Sequence, residues 1–123
     1  PLPDLFRGLC AAGIQCGLAT NDSETGARDT AQRLGIAPHL TFTAGYDSGH
    51  GAKPAPGMIL AAQTGWGLGP GETAMIGDSP ADLAAGRAAG CGLVIGVLSG
   101  ASDRSVLAPL ADLILDDVHG LLA

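Results

Sequence analysis

Short apolar segments alternate along this chain with longer segments of helical character, and this alternation limits the possible fold more than any other feature. The apolar segments are about four to seven residues long and the helical ones about ten, with Gly or Pro at many of the junctions. Strands that alternate with helices in this way pair in parallel through right-handed crossovers. The sequence therefore predicts an α/β fold with a parallel sheet.

The predicted elements follow from apolar runs, caps and stop residues. The predicted helices cover residues 5–12, 23–34, 57–66, 79–89 and 102–107. The predicted strands cover residues 14–20, 40–44, 73–76, 93–98 and 112–115, the last before residues 118–122. Gly13 and Gly35 stand where helix ends favour glycine, and Pro80 stands in the first turn of a helix. Without a repeat or a linker, we expect one domain over residues 1–123.

Charge and hydropathy argue against nucleic-acid and membrane partners. The 123 residues include 6 Lys and Arg and 12 Asp and Glu, which give a net charge of −6 at pH 7. A negative chain without a basic stripe does not favour nucleic-acid backbones. No apolar run approaches the roughly 18 residues of a membrane span, and no signal peptide opens the sequence. We expect a soluble, cytoplasmic protein.

The three cysteines are Cys10, Cys16 and Cys91. Their odd number, the lack of a C-x-x-C spacing and their position in or beside apolar segments predict buried free thiols in a reducing compartment. A catalytic cysteine is the alternative, but the neighbouring sequence offers no base to activate one.

Three polar segments follow predicted strands: Thr20, residues 45–53 and Asp78. Ligands of open parallel sheets bind at the carboxyl ends of the strands. We therefore expect the three segments to converge on one edge of the sheet.

The segment GDSPAD, at residues 77–82, contains the most informative pair of acids. A strand delivers Asp78 to the sheet edge, and Asp82 follows one helical turn later. Mg²⁺ prefers oxygen ligands and keeps several waters. One of these carboxylates as a direct ligand, with the other acting through water or a neighbouring amine, would therefore be a suitable contribution from the protein. Alternatively, Asp78 or Ser79 only caps the following helix, and Asp82 is a solvated acid of its first turn.

Lys53 is the only lysine of the chain, between a glycine-rich segment and the segment PAP at residues 54–56. An ammonium beside a phosphoryl group neutralises developing negative charge. At an effective dielectric constant of about 20, two unit charges about 4 Å apart attract by about 4 kcal/mol. A solvated surface lysine is the alternative, but the surrounding glycines and prolines favour a functional one.

Two further candidates lie in loops. Thr20 and Asn21 offer a hydroxyl, an amide and a loop N–H to phosphate oxygens, although a simple helix-entry turn also explains them. His50 is a candidate substrate contact, and a solvated loop histidine is the alternative.

Three segments together resemble the later motifs of the haloacid dehalogenase (HAD) superfamily, and most of all its phosphoglycolate-phosphatase-like members. They are GLATN at residues 17–21, AKPAP at residues 52–56, and GDSPAD at residues 77–82 ahead of AAGRAAG at residues 84–90. Their order and spacing match, and the resemblance covers nearly the whole chain. It implies a three-layer, Rossmann-like parallel sheet with helices on both faces.

The resemblance also implies a role for each candidate. Thr20 and the Asn21 N–H would bind phosphate. Lys53 would neutralise the phosphate and steady the nucleophile. Asp78 would ligate Mg²⁺, and Asp82 would support the metal shell or Lys53. Lys53 and Asp78 are thus the implied catalytic residues of this chain.

The chain contains no D-x-D motif, which in this family supplies the nucleophilic aspartate and the general acid and base. The resemblance implies that this motif lies on a central strand, absent here, between the strands that end at Thr20 and Ile76. We therefore expect residues 1–123 to be the C-terminal portion of a HAD-like core domain and to be inactive alone. A dimer, or association with the missing N-terminal segment, would cover the open strand edges.

The resemblance predicts a parent phosphatase that uses Mg²⁺ and an aspartyl-phosphate to hydrolyse a small phosphorylated metabolite. A halide-removing relative is the close alternative, but it would not need the Asp78 and Asp82 pair. A non-catalytic α/β module that binds phosphate, metal or a protein is a further alternative. A D-x-D motif encoded upstream of Pro1 would favour the enzyme.

Overall fold

The computed structural model describes residues 1–100 and 102–122, and it confirms the predicted α/β class. Helices and strands alternate along this part of the chain. The helices are α1 (Leu2–Ala11), α2 (Glu24–Arg33), α3 (Gly57–Trp66), α4 (Pro80–Ala88) and α5 (Arg104–Leu107). The strands are β1 (Cys16–Ala19), β2 (Leu40–Ala44), β3 (Ala74–Gly77), β4 (Leu93–Val97) and β5 (Leu113–Leu115). Short 3-10 helices lie at Ala37–His39, Pro70–Glu72 and Val118–Leu122.

The chain divides into two compact units, Pro1–Ala52 and Lys53–Ala123. In the first unit, β1 and β2 form a parallel pair with Ala19 opposite Ala44. In the second unit, the strands form a parallel sheet in the order β3, β4, β5. Parallel neighbours need a crossover, which α2 supplies in the first unit and α4 and α5 supply in the second. Among the described residues, β1 pairs only with β2 and β3 only with β4.

Small side chains let the helices pack closely on the strands. In the second unit, an ideal Cβ at Gly86 of α4 would lie 2.5 Å from the Cβ of Met75 in β3, so only glycine allows this approach. The buried apolar residues of the first unit are Leu5, Cys16, Ala27, Ala31, Ile36 and Ala44. Those of the second include Met58, Ile59, Ala62, Leu83, Ala85, Val94, Ile95, Val97 and Leu107.

Two predicted boundaries at the start of the chain are wrong. Helix α1 begins at Leu2, three residues earlier than predicted, because Pro3 lies in the first turn, where a missing N–H costs nothing. Strand β1 begins at Cys16 and not at Ile14. The Ile14 N–H donates to the carbonyl of Leu9 at the end of α1, 3.0 Å away, and is therefore unavailable to the sheet.

The remaining boundaries differ from the predictions by at most two residues. Helix α5 begins at Arg104 because the Asp103 carboxylate caps it, accepting from the Val106 N–H at 3.2 Å. Within the described residues, no helix is both long and apolar enough to cross a membrane.

Candidate functional site

Asp78 is the first residue after β3, at the carboxyl end of that strand. The next residue, Ser79, caps α4 by accepting a hydrogen bond from the Asp82 N–H at 3.3 Å. Because Ser79 performs this capping, Asp78 is not needed at the helix terminus. Asp78 is exposed to solvent, so its carboxylate is accessible to a ligand.

Asp82 uses both of its carboxylate oxygens inside the protein. Its Oδ1 accepts from the Lys53 ammonium, and its Oδ2 accepts from the Asp78 N–H at 3.2 Å. The residue is only 9% exposed. Asp82 is therefore not the solvated first-turn acid of the alternative explanation. It joins the lysine to the backbone at the end of β3.

Lys53 lies at the start of the second unit, and its side chain is 10% exposed, against 12% for that of Asp82. The peptide bond that follows it, to Pro54, is cis. In an ion pair as buried as this one, the cost of desolvating the two charges offsets much of their attraction. Stability alone is therefore a weak reason for its presence. The pair does hold a positive charge beside the carboxyl end of β3.

Two glycines border the acids and leave no space for a side chain. An ideal Cβ at Gly77, the last residue of β3, would lie 2.7 Å from the Cγ of Asp82. An ideal Cβ at Gly100, in the loop after β4, would lie 2.5 Å from the Cγ of Asp78. Gly77 belongs to a recognisable motif. No pattern in the sequence distinguishes Gly100 from the other loop glycines, so sequence reasoning missed it.

Asp78 offers a type of ligand that suits Mg²⁺. A carboxylate is the ligand type that this cation prefers, and Asp78 presents one at the sheet edge. The oxygens of Asp82 are already occupied by Lys53 and the Asp78 N–H. Within the described residues, no group of three or more His, Cys, Asp or Glu side chains is placed to hold a metal ion. Of the two acids at the end of β3, only Asp78 thus offers an exposed carboxylate, and further ligands would be waters, substrate or other protein groups.

Thr20 and Asn21 lie in the first unit, directly after β1. The Thr20 hydroxyl accepts from the Asp22 N–H at 3.1 Å, and the Thr20 N–H donates to the carbonyl of Ala44. Ser23 caps α2 by accepting from the Gly26 N–H at 3.0 Å. The helix-entry turn is therefore real, yet it leaves the hydroxyl proton of Thr20 able to donate to an oxygen. The phosphate-binding role stays a prediction.

Hydrogen bonds hold the loop after β2 against the start of α2. The Asp47 Oδ1 accepts from the Glu24 N–H at 2.8 Å, and the Ser48 hydroxyl donates to the Glu24 Oε1 at 2.7 Å. The hydrogen bond from Ser48, and next the one that the Arg28 side chain donates to Glu24, holds the pKa of Glu24 below its ordinary value. Local sequence reasoning missed Asp47, because it caps a helix that begins 23 residues earlier.

His50 is exposed, and its ring centroid lies 6.2 Å from that of Phe42. Its substrate contact stays a prediction.

The three cysteines are free thiols, but only Cys16 and Cys91 are buried. The prediction of burial is wrong for Cys10, which lies near the exposed end of α1. Burial, and next the neighbouring Cys10 thiol, raises the pKa of Cys16 to about 11, which argues against a reactive thiolate.

Comparison with known proteins finds a matching family and relatives of this chain. Residues 1–90 match the model of a family described as haloacid dehalogenase-like hydrolase. The chain is 35% identical over 118 residues to a phosphoglycolate phosphatase of Rhodospirillum rubrum, covering 95% of this chain and 48% of that protein. It is 39% identical over 113 residues to a phosphoglycolate phosphatase of Chromobacterium violaceum, and this match covers 92% of this chain and 50% of that protein.

A solved structure is similar over the same extent. The crystal structure of a predicted phosphoglycolate phosphatase from Haemophilus somnus matches with a TM-score of 0.88 and 26% identity, over 97% of this chain and 53% of that one. This chain therefore spans about half the length of the relatives that it matches.

Proposed function

Because the chain belongs to the haloacid dehalogenase-like hydrolase family, we propose that it forms part of a Mg²⁺-dependent phosphatase that acts on small phosphomonoesters. The observation that supports this most is the buried pair of Lys53 and Asp82 beside Asp78. A cation and an exposed carboxylate at one strand end are the groups needed to hold a phosphoryl group and a metal ion.

Within this proposal, Lys53 supplies the fixed positive charge that offsets the phosphoryl oxygens. Asp82 keeps the ammonium in place, so little reorganisation is needed when the charge of the transition state develops. Asp78 holds the metal ion, which would offset phosphoryl charge as a Lewis acid when bound. Thr20 and the Asn21 N–H bind phosphate oxygens, and His50 contacts the substrate.

The nucleophile of this proposed enzyme lies outside these residues. A carboxylate would attack phosphorus and release the alcohol, and water would then cleave the aspartyl-phosphate to free phosphate. The chain has no D-x-D motif, and relatives of about twice its length carry the phosphatase name. These facts support the proposal that residues 1–123 are the C-terminal portion of one core domain and are inactive alone.

The names of the relatives favour a phosphatase over a halide-removing enzyme, and they make 2-phosphoglycolate the first substrate to test. We also propose a cytoplasmic location for the protein, because free thiols such as those of Cys16 and Cys91 stay reduced there.

The test is phosphate release by the longer protein that contains this chain. With Mg²⁺ and 2-phosphoglycolate or p-nitrophenyl phosphate, we expect turnover that EDTA removes and excess Mg²⁺ restores. Asp78→Asn is expected to lower kcat/KM by at least about 100-fold, since it removes the charge that holds the metal ion. Halide release from 2-chloroacetate is the matched assay for the dehalogenase.

Halide release without phosphate release would contradict the phosphatase. Full turnover by the Asp78→Asn variant, or full turnover in EDTA, would contradict the assigned metal role. Binding of phosphate or Mg²⁺ with no turnover of any ester by the longer protein would favour the non-catalytic module.

A further inference from the structure

We infer that Gly100 is a positioning residue for Asp78, a role that rests on the phosphatase function proposed above. The residue lies three positions beyond the end of β4, in the loop before α5. An ideal Cβ at Gly100 would lie 2.5 Å from the Cγ and 2.6 Å from the Cβ of Asp78, and it would overlap the Oδ2 more closely still. The carboxylate of Asp78 therefore lies in space that any other residue at position 100 would fill.

The conflict involves more than the tip of a flexible side chain. The Cβ of Asp78 is fixed by the backbone at the end of β3, and that backbone is tied to Asp82 through the Asp78 N–H. A side chain at Gly100 would therefore push the loop away from Asp78, and it would also turn the Asp78 carboxylate into another rotamer. Either movement changes where the metal ligand points.

The backbone at Gly100 does not itself require glycine. Among the described residues, six glycines have a positive φ, and Gly100 is not one of them. Alanine is therefore compatible with the local backbone conformation. The three atoms nearest to the new Cβ all belong to Asp78, so the Gly100→Ala change tests that contact. Gly71 provides the matched control, because it also lacks a positive φ and an ideal Cβ there meets nothing within 4 Å.

A side chain at position 100 should weaken the binding of Mg²⁺ at Asp78. A change in the residues that orient a metal ligand typically lowers metal affinity by about 10- to 100-fold. We therefore expect Gly100→Ala to raise the Mg²⁺ dissociation constant of the longer protein by about tenfold or more, measured by titration calorimetry. The Mg²⁺ concentration for half-maximal phosphate release should rise in parallel. At saturating Mg²⁺, kcat should return towards that of the wild type, which a general folding defect would not allow.

Gly71→Ala is expected to leave the Mg²⁺ dissociation constant and the turnover unchanged. A folded Gly100→Ala protein with the Mg²⁺ affinity of the wild type would overturn the inference. A Gly100→Ala protein with an unchanged Mg²⁺ affinity, but with a loss of activity that added Mg²⁺ does not restore, would also overturn it. If Gly100→Ala is insoluble, Gly100→Ala with Asp78→Gly decides the matter, because glycine removes every Asp78 atom that the new Cβ would meet. Recovery of a soluble fold supports the contact with the Asp78 side chain, and equal insolubility contradicts it.

The same experiment separates this inference from the proposed function. A wild-type protein that neither binds Mg²⁺ nor releases phosphate contradicts the proposed function itself. A wild-type protein that does both, with Asp78→Asn inactive and Gly100→Ala indistinguishable from Gly71→Ala, contradicts only the role of Gly100.

Discussion

The Lys53 ammonium pairs with the Asp82 carboxylate, and the two side chains are 10% and 12% exposed. The second oxygen of that carboxylate accepts from the Asp78 N–H. One side chain thus fixes both the lysine and the backbone of the candidate metal ligand. Loss of either contact should therefore affect the site as a whole.

Replacing Lys53 tests the pair directly. Lys53→Met removes the charge and leaves Asp82 buried without its cation, at a cost of roughly 3 kcal/mol in the free energy of unfolding. In the longer protein, Lys53→Met should lower kcat more than Lys53→Arg, which keeps the charge with a different geometry. Phosphate release and urea unfolding measure the two effects.

The double variant Lys53→Met with Asp82→Asn is the control for stability. Asparagine keeps an oxygen for the Asp78 N–H and carries no charge, so this variant should regain part of the lost unfolding free energy. Equal activity of Lys53→Met and the wild type would show that Lys53 has no part in the reaction.

Gly77 tests how tightly β3 packs on Asp82. Its φ is not positive, so alanine fits the backbone, but a Cβ would lie 2.7 Å from the Cγ of Asp82. We expect Gly77→Ala to lower the unfolding free energy by about 1 to 3 kcal/mol, because overpacking forces Asp82 away from Lys53. Gly65→Ala in α3 is the control, since a Cβ there meets nothing within 4 Å and should stabilise the helix by about 0.5 to 1 kcal/mol. Matching effects of the two changes would disprove the contact.

The sequence predicts those parts of this molecule that depend on local pattern. The bounds of β2 and α3 follow directly from β-branched residues, prolines and apolar runs. The motifs also single out Lys53, Asp78 and Asp82, which hydrogen bonds bring together at the end of β3. The convergence of Thr20 with them stays a prediction. The pairing of Lys53 with Asp82 was one of two possibilities left open, because residues 29 positions apart are brought together only by the fold.

Contacts that depend on packing could not be predicted. The loop after β4 places Gly100 against Asp78, and Asp47 caps a helix from a different loop. The Arg87 guanidinium binds Asp112 through two hydrogen bonds of 2.8 and 3.2 Å, which join α4 to the start of β5. Nothing in the local sequence of any of these residues indicates its partner.

Asp112 gives the protein a predictable response to acid. The Arg87 guanidinium, and then the Val94 N–H, holds the pKa of Asp112 below its ordinary value of 3.8. A lowered pKa in the folded state means that the carboxylate stabilises the fold above the ordinary value and loses this effect as the pH falls through the folded pKa. Asp112→Asn should therefore unfold at a lower temperature than the wild type at pH 7.

The difference in unfolding temperature should shrink as the pH falls below the ordinary value of 3.8. Asp116→Asn is the control for the loss of one negative charge, and it should change the unfolding temperature little at pH 7. A difference for Asp112→Asn that stays constant down to pH 2 would contradict the ion pair as its source.

Chemical trapping of the phosphorylated enzyme tests the central claim most directly, namely that this chain supplies the charges of a phosphatase site and another segment supplies the nucleophile. Borohydride reduces an aspartyl-phosphate to homoserine, which peptide mass spectrometry can locate. After the longer protein is quenched during turnover, we expect homoserine in a peptide outside residues 1–123. All ten aspartates of this chain, including Asp78 and Asp82, should be unchanged. Homoserine at any aspartate within residues 1–123 would contradict the account.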